Sequence, residues 1–151
     1  MIIAEKITYT YPPTEERDTA PPPALNEVDF TIAQGAFVAI VGHNGSGKST
    51  LARHMNALLV PTDGTLCIDG KNTADASLLW EIRKTAGMVF QNPDNQLVAT
   101  SVEEDVAFGP ENLGLPSEEI RTRVDNTLTA VGLSSFCNFI SSSSSWMASL
   151  P

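Results

Sequence analysis

Apolar and polar residues alternate near the start of the chain in the way that half-buried β-strands require. The apolar positions of the first run share one parity, and they are Met1, Ile3, Ile7, Tyr9 and Tyr11. Val28, Phe30 and Ile32 alternate in the same way and predict a second strand. Residues 12–24 lie between these strands and are rich in proline and poor in apolar side chains, so we expect a flexible insertion there.

Two later runs, residues 37–41 and 87–90, are apolar without interruption, which predicts strands covered on both faces. A helical stripe follows the first of these runs and stops at Pro61. Its members are Leu51, Met55, Leu58 and Leu59. Leu66 and Ile68 predict a further strand between two Asp-Gly turns.

Two helix starts are marked by potential capping residues. Ser77 is expected to cap a helix that runs through Ile82. Ser101 and Glu104 form a capping box, which predicts that another helix begins there. Strands and helices therefore alternate along the chain, as they do in an α/β domain.

The most specific chemical signal follows the apolar run 37–41. It is the sequence Gly42, His43, Asn44, Gly45, Ser46, Gly47, Lys48, Ser49 and Thr50, which fits GxxxxGK[ST]. In such a loop the glycines let backbone N–H groups converge on a phosphate, and the lysine adds a positive charge. The hydroxyl of Ser49 is a candidate ligand for Mg²⁺. We call residues 42–50 the phosphate loop, and they predict nucleotide binding.

Gln91 comes directly after the apolar run 87–90. The carboxyl end of a strand in an open α/β sheet is a common place to present a side chain to a ligand. A loop amide that hydrogen-bonds its own backbone is the other interpretation, and spacing alone does not exclude it.

The length and the net charge of the chain limit the classes of function that it can have. The 151 residues are enough for one core, and 42% of them are hydrophobic. Asp and Glu total 18 against 9 Lys and Arg, giving a net charge of −9 that argues against a nucleic-acid partner. The chain has neither a basic, apolar leader nor an apolar run long enough to span a membrane. Cys67 and Cys137 are expected to be free thiols.

Several stretches together resemble the ATP-binding subunits of ABC transporters. They are ITYTYP, the segment from LNEVDF to CIDG around the phosphate loop, and GMVFQNPDNQLVATSVEEDVAFGPENLGLP. The last is most similar to the A components of energy-coupling factor (ECF) transporters. The resemblance implies an α/β P-loop NTPase fold, the ABC-type nucleotide-binding domain, with only its N-terminal part present in residues 1–133.

The resemblance also implies roles for individual residues. Tyr11 would stack on the adenine of ATP, and residues 42–50 would wrap its triphosphate. Ser49 and Gln91 would ligate Mg²⁺, and Lys48 and Gln91 would take part in catalysis. The implied partners are a transmembrane coupling subunit and a second ATP-binding subunit. These partners would place the protein at the cytoplasmic face of the cell membrane. The assembled complex would drive uptake of a vitamin or metal ion.

The sequence departs from this family after Leu133. Residues 134–151 contain five consecutive serines, which predicts a disordered, divergent tail. The LSGGQ signature, the Walker B aspartate, the adjoining glutamate and the switch histidine are absent from the sequence. We therefore expect a truncated or frameshifted chain that does not hydrolyse ATP by itself, in which residues 37–41 and 87–90 keep unpaired strand edges. The alternatives are a non-enzymatic nucleotide-binding fragment and a P-loop kinase.

Overall fold

The computed structural model describes residues 1–13, 21–92 and 96–137. The chain divides into two compact units, Met1–Met88 and Val89–Pro151. The predicted domain over residues 1–133 includes parts of both units, and its extent stays a prediction. Most of the predicted flexible insertion, at residues 14–20, lies outside the described residues, and so do residues 138–151 of the disordered tail predicted over residues 134–151. The prediction is wrong for the start of that tail, because Ser134–Phe136 form a 3-10 turn.

The first unit is built on a four-stranded antiparallel sheet. Its strands are β1 (Ile2–Tyr9), β2 (Leu25–Ile32), β3 (Asp63–Ile68) and β4 (Lys71–Asn72), in the order β2-β1-β3-β4. Ile2 pairs with Ile32 on one side and with Ile68 on the other. The alternation predicted for β2 and β3 is confirmed, because apolar positions along both strands are more buried than their neighbours.

A β-bulge in β1 changes which residues face the core. Ala4 pairs with Phe30 and Ile7 with Val28, so β1 advances three residues where β2 advances two. Lys6, inside this step, has a φ of 47°. The extra residue shifts the buried positions from Ala4 to Ile7 and Tyr9, and Met1 is half exposed. The predicted single parity from Met1 to Tyr9 is therefore wrong before the bulge and right after it.

Gly64 on β3 packs tightly against this bulge. A Cβ atom at Gly64 would lie 2.3 Å from the backbone oxygen of Lys6, and the φ of Gly64 is 82°. Only glycine fits both the space and the backbone conformation. The turn predicted at Asp63 and Gly64 is wrong, because both residues lie within β3, where Gly64 is required for the packing of the sheet.

Helix α1 (Lys48–His54) begins within the phosphate loop but is shorter than the predicted stripe. The stripe is correct for Leu51 and Leu59, which pack against the core of the sheet. It is wrong for Leu58, which is exposed, because the backbone leaves the helix at Met55 and Ala57 takes a φ of 54°. Ala57, buried at the end of this turn, packs with Ile68 and Ile82.

Helix α2 (Leu79–Thr85) is preceded by a 3-10 turn at Ala76–Leu78. The cap predicted at Ser77 is wrong. Asp75 takes that place, since its carboxylate accepts from the backbone N–H of Ser77 at 2.9 Å and from the Ser77 hydroxyl at 2.6 Å. These hydrogen bonds lower the pKa of the Asp75 carboxyl.

The two continuously apolar runs, residues 37–41 and 87–90, do not form strands. Phe37 is 99% exposed, Val41 88% and Val89 85%, so the prediction of strands buried on both faces is wrong. No strand of the described residues pairs with either run. An apolar run specifies that a segment tends to be buried, but its burial requires a neighbouring strand.

The second unit is a helical hairpin. Helix α3 (Val102–Asn112) and helix α4 (Ser117–Ala130) pack through Ala107, Val124 and Leu128. The predicted cap at Ser101 is confirmed, because its hydroxyl accepts from the backbone N–H of Glu104 at 3.3 Å.

Both cysteines are thiols, as predicted. The thiol of Cys137 donates to the Glu103 carboxylate at 3.3 Å, which raises the pKa of that thiol. Among the described residues, every helix is too short or too polar to cross a lipid bilayer.

Candidate functional site

The first part of the phosphate loop, residues 42–46, is exposed, and its last residues, 48–50, already belong to α1. Gly45 and Gly47 have φ values of 83° and 88°, in the left-handed region that favours glycine. A Cβ atom at Gly47 would lie 2.6 Å from the carbonyl oxygen of Ala24, the residue just before β2. The backbone N–H of Leu51 donates to the Gly47 carbonyl at 2.8 Å. Gly47 is therefore required for the loop to pass β2 and begin the helix.

The Lys48 side chain folds back over the loop. Its ammonium Nζ donates to the carbonyl oxygens of Gly42 at 2.9 Å and of His43 at 2.7 Å. The backbone N–H of Ser46 closes the same turn by donating to the His43 carbonyl at 3.3 Å. This arrangement holds a positive charge at the opening of the loop, where an anionic phosphate group would be attracted to it.

Ser49 presents an exposed hydroxyl one residue after Lys48. His43 and Asn44 are exposed as well, and the His43 imidazole Nδ1 lies 2.9 Å from the Asn44 carbonyl oxygen. No group of three or more His, Cys, Asp and Glu side chains in the described parts of the chain could hold a metal ion. Mg²⁺ that arrives with phosphate oxygens commonly takes only one or two protein ligands, so Mg²⁺ ligation by Ser49 stays a prediction.

Tyr11 lies beside the end of the phosphate loop. Its hydroxyl is hydrogen-bonded to the Thr50 hydroxyl at 3.1 Å, and Thr50 is buried. The Tyr11 ring also makes an edge-to-face contact with Tyr9, with ring centroids 4.9 Å apart. The structure thus brings Tyr11 and the loop together, although they are 39 residues apart in sequence. Its role as an adenine platform stays a prediction.

His54 is a feature of this region that the sequence analysis missed. Its side chain is fully buried at the last turn of α1, and its Nδ1 lies 2.7 Å from the Thr50 carbonyl oxygen. Its ring meets Tyr9 edge to face at 4.7 Å. A histidine four residues after Thr50 on a predicted amphipathic helix could have signalled this contact. Burial lowers the pKa of His54, and the carbonyl groups of Thr50 and Val60 act in the opposite direction.

We expect the stability of the first unit to decrease as the pH falls below about 6.5, the pKa of histidine in an unfolded chain. Because the pKa of His54 is lower in the folded state, the unfolded chain takes up a proton more readily, so lowering the pH favours unfolding. The free energy of unfolding should fall by at most about 1.4 kcal/mol per pH unit from this group. Urea unfolding between pH 7.5 and 5.5 measures it, and His54→Phe should flatten the dependence. Equal slopes for both proteins would contradict the assignment.

Gln91 belongs to the second unit, where its side chain is exposed. The structure supplies no contact that assigns it a role, so Mg²⁺ ligation and catalysis by Gln91 stay predictions. The segment after it includes residues 93–95, which lie outside the described residues.

The family model described as "ABC transporter" matches residues 25–146, which include the whole phosphate loop. The chain belongs to the ABC transporter family. Its α/β architecture is that of part of an ABC-type nucleotide-binding domain, because solved ATP-binding cassettes superpose on most of it.

A curated protein and a solved structure are examples of the relatives of this ABC transporter chain. The energy-coupling factor transporter ATP-binding protein EcfA1 of Caldanaerobacter subterraneus subsp. tengcongensis is 53% identical over 139 residues, 92% of this chain and 49% of the relative. The structure of cbiO1 from Clostridium perfringens, part of the ABC transporter complex cbiONQ, matches with a TM-score of 0.75 and 36% identity. That match covers 92% of this chain and 53% of cbiO1.

A third match is the ATP-binding cassette MJ0796, whose dimeric structure represents a post-hydrolysis state bound to ADP and Pi. It has a TM-score of 0.73 and 32% identity, over 91% of this chain and 60% of MJ0796. The chain thus spans about half the length of the curated relatives it matches.

Proposed function

We propose that this ABC transporter chain binds MgATP, with residues 42–50 around the triphosphate and Tyr11 against the adenine. The observation that carries the proposal is the Lys48 ammonium, which the Gly42 and His43 carbonyls hold over the loop. A phosphate group would offer this cation charge-assisted hydrogen bonds, which are stronger than those to neutral carbonyls.

The individual roles follow from the chemistry of each side chain. Ser49 and Gln91 would hold Mg²⁺ through hard oxygen atoms, and Mg²⁺, when bound, would offset negative charge on the phosphates. In a complete ATP-binding subunit, Lys48 and Gln91 are the proposed catalytic residues. Lys48 would bind and polarise the terminal phosphates, and Gln91 would contribute its carboxamide oxygen.

In the proposed biological setting, this chain provides part of the ATP-binding subunit of an ECF-type importer. A transmembrane coupling subunit and a second ATP-binding subunit would be its partners, at the cytoplasmic face of the membrane. The vitamin or metal ion carried would be selected elsewhere in the complex. The names of the relatives support this setting, since they include ECF transporter and cobalt import ATP-binding proteins.

A second candidate function is nucleotide binding without turnover. The observation that favours it is the exposure of residues 37–41, the segment that leads into the phosphate loop. A loop whose preceding segment has no partner strand would bind a nucleotide but would not position the attacking water precisely enough for hydrolysis.

The binding proposal is tested by comparing ATP with inorganic tripolyphosphate. Wild type should bind ATP more tightly, and Tyr11→Ala should remove most of that preference because a base-stacking contact contributes about 1–3 kcal/mol. Isothermal titration calorimetry measures both affinities.

Trp80→Ala is the matched control for the Tyr11 variant, since Trp80 is an exposed aromatic residue of the same unit, on α2. It should leave the preference unchanged. An unchanged preference in Tyr11→Ala would show that Tyr11 serves the core of the protein and does not contact adenine.

A further inference from the structure

Four residues beside the phosphate loop form a closed network. Tyr11 is hydrogen-bonded to the hydroxyl of Thr50, and the carbonyl of Thr50 accepts from His54. The His54 and Tyr9 rings make an edge-to-face contact, and the Tyr9 and Tyr11 rings make another. We call Tyr9, Tyr11, Thr50 and His54 the four-residue network. It joins the end of β1 to the helix that follows the loop.

Burial makes this network stiff. His54 is 0% exposed, Thr50 8% and Tyr9 9%, so only Tyr11 retains access to solvent. Closely packed side chains of this kind have few alternative rotamers. The orientation of the Tyr11 ring is therefore set by the positions of Tyr9 and Thr50, and both of these contact His54.

The hydrogen-bonding pattern fixes the tautomer of His54. A carbonyl oxygen only accepts, so Nδ1 must carry the proton that is donated to Thr50. The other nitrogen, Nε2, is buried. The imidazole thus supplies a donor at one edge and an aromatic surface to Tyr9, a combination that neither asparagine nor phenylalanine provides.

We propose that His54 is a positioning residue that holds Tyr11 in register with the phosphate loop, so that the adenine and triphosphate subsites act together. This inference rests on the proposed binding of ATP by Tyr11 and residues 42–50. His54 itself would touch no part of the nucleotide. Its effect would pass through Thr50 on one side and through Tyr9 on the other.

The test measures the ratio of ATP affinity to tripolyphosphate affinity in the 151-residue chain. His54→Phe keeps a ring and loses the donor, whereas His54→Asn keeps a donor and loses the ring. Each should lower the ratio by about threefold to tenfold, the effect of losing one hydrogen bond or one aromatic contact. Tyr11→Phe should lower it similarly, although phenylalanine retains a ring that can stack.

The double variant His54→Phe with Tyr11→Phe provides a sharper criterion. Both substitutions break the same closed network. The ratio of ATP affinity to tripolyphosphate affinity in the double variant should therefore be little lower than in the more affected single variant. If the fold-decrease of this ratio in the double variant equals the product of the two single fold-decreases, the two residues act independently. That result would overturn the proposal.

Ile82→Val is the matched control for a purely structural role. Ile82 is equally buried but packs with Ala57 and Ile68, in a different cluster of the same unit. It should lower the Tm and leave the ratio unchanged. If His54→Phe and His54→Asn behave like Ile82→Val, His54 is a core residue and the inference is wrong.

The remaining outcomes separate the inference from the proposed function. If wild type binds tripolyphosphate and ATP equally well, the phosphate loop stands, but the adenine platform and the role of His54 are both overturned. If wild type binds neither ligand, the proposed function fails and the inference fails with it. If the His54 variants do not fold, Tyr11→Phe decides: an unchanged ratio overturns the proposal, and a lowered ratio supports it.

Discussion

The 151-residue chain should release no phosphate from MgATP above the background of contaminating enzymes. Hydrolysis by ABC-type subunits, to which this sequence is similar, relies on the LSGGQ signature and on a glutamate beside the Walker B aspartate, and the sequence has neither motif. Loss of general-base assistance costs about 10²–10⁴ in rate. Loss of preorganised charge stabilisation should cost a comparable further factor.

Phosphate release under steady-state conditions measures this outcome, with Lys48→Ala as the control for contamination. Background activity should be equal in the two preparations, because it does not come from the phosphate loop. Turnover that requires MgATP, continues over many cycles and disappears in Lys48→Ala would show that residues of this chain suffice for hydrolysis.

Lys48→Ala should weaken ATP binding by about 1.5–3 kcal/mol, or roughly 10- to 150-fold, by removing a charge-assisted contact with phosphate. The substitution also removes the hydrogen bonds from Nζ to the Gly42 and His43 carbonyls. The loop therefore loses both its cation and the contacts that close it. Titration with a fluorescent ATP analogue measures the change.

Lys84→Ala is the matched control for this charge change. Lys84 is an exposed lysine in the last turn of α2, so its removal alters the net charge equally without touching the phosphate loop. The affinity of Lys84→Ala for ATP should stay within about twofold of the wild-type affinity. Equal affinities of Lys48→Ala and wild type would disprove phosphate binding by this lysine.

Local signals in the sequence predicted much of the secondary structure. The alternation in β2 and β3 and the cap at Ser101 are each set by residues close together in sequence, and the structure has them. The bulge in β1 was not predictable in this way. It depends on the approach of Lys6 to Gly64 on a strand nearly sixty residues later, which alternation alone does not reveal.

The phosphate loop could be predicted because its residues are contiguous. The contact between His54 and Tyr9 could not be predicted, because it depends on the sheet that brings Tyr9 to α1. The burial predicted for residues 37–41 failed for a related reason. The apolar composition of a segment indicates that it tends to be buried. It does not show whether a neighbouring strand is present to bury it.

The exposure of residues 37–41 also has a consequence for ligand affinity. This segment runs directly into Gly42, and no strand of the described residues holds it in a sheet. If the binding-competent conformation of the loop is populated for about a tenth of the time, the apparent Kd is about tenfold weaker than the intrinsic one. A strand that pairs with residues 37–41 would then act as an allosteric activator, tightening ATP binding by raising that population without contacting the nucleotide.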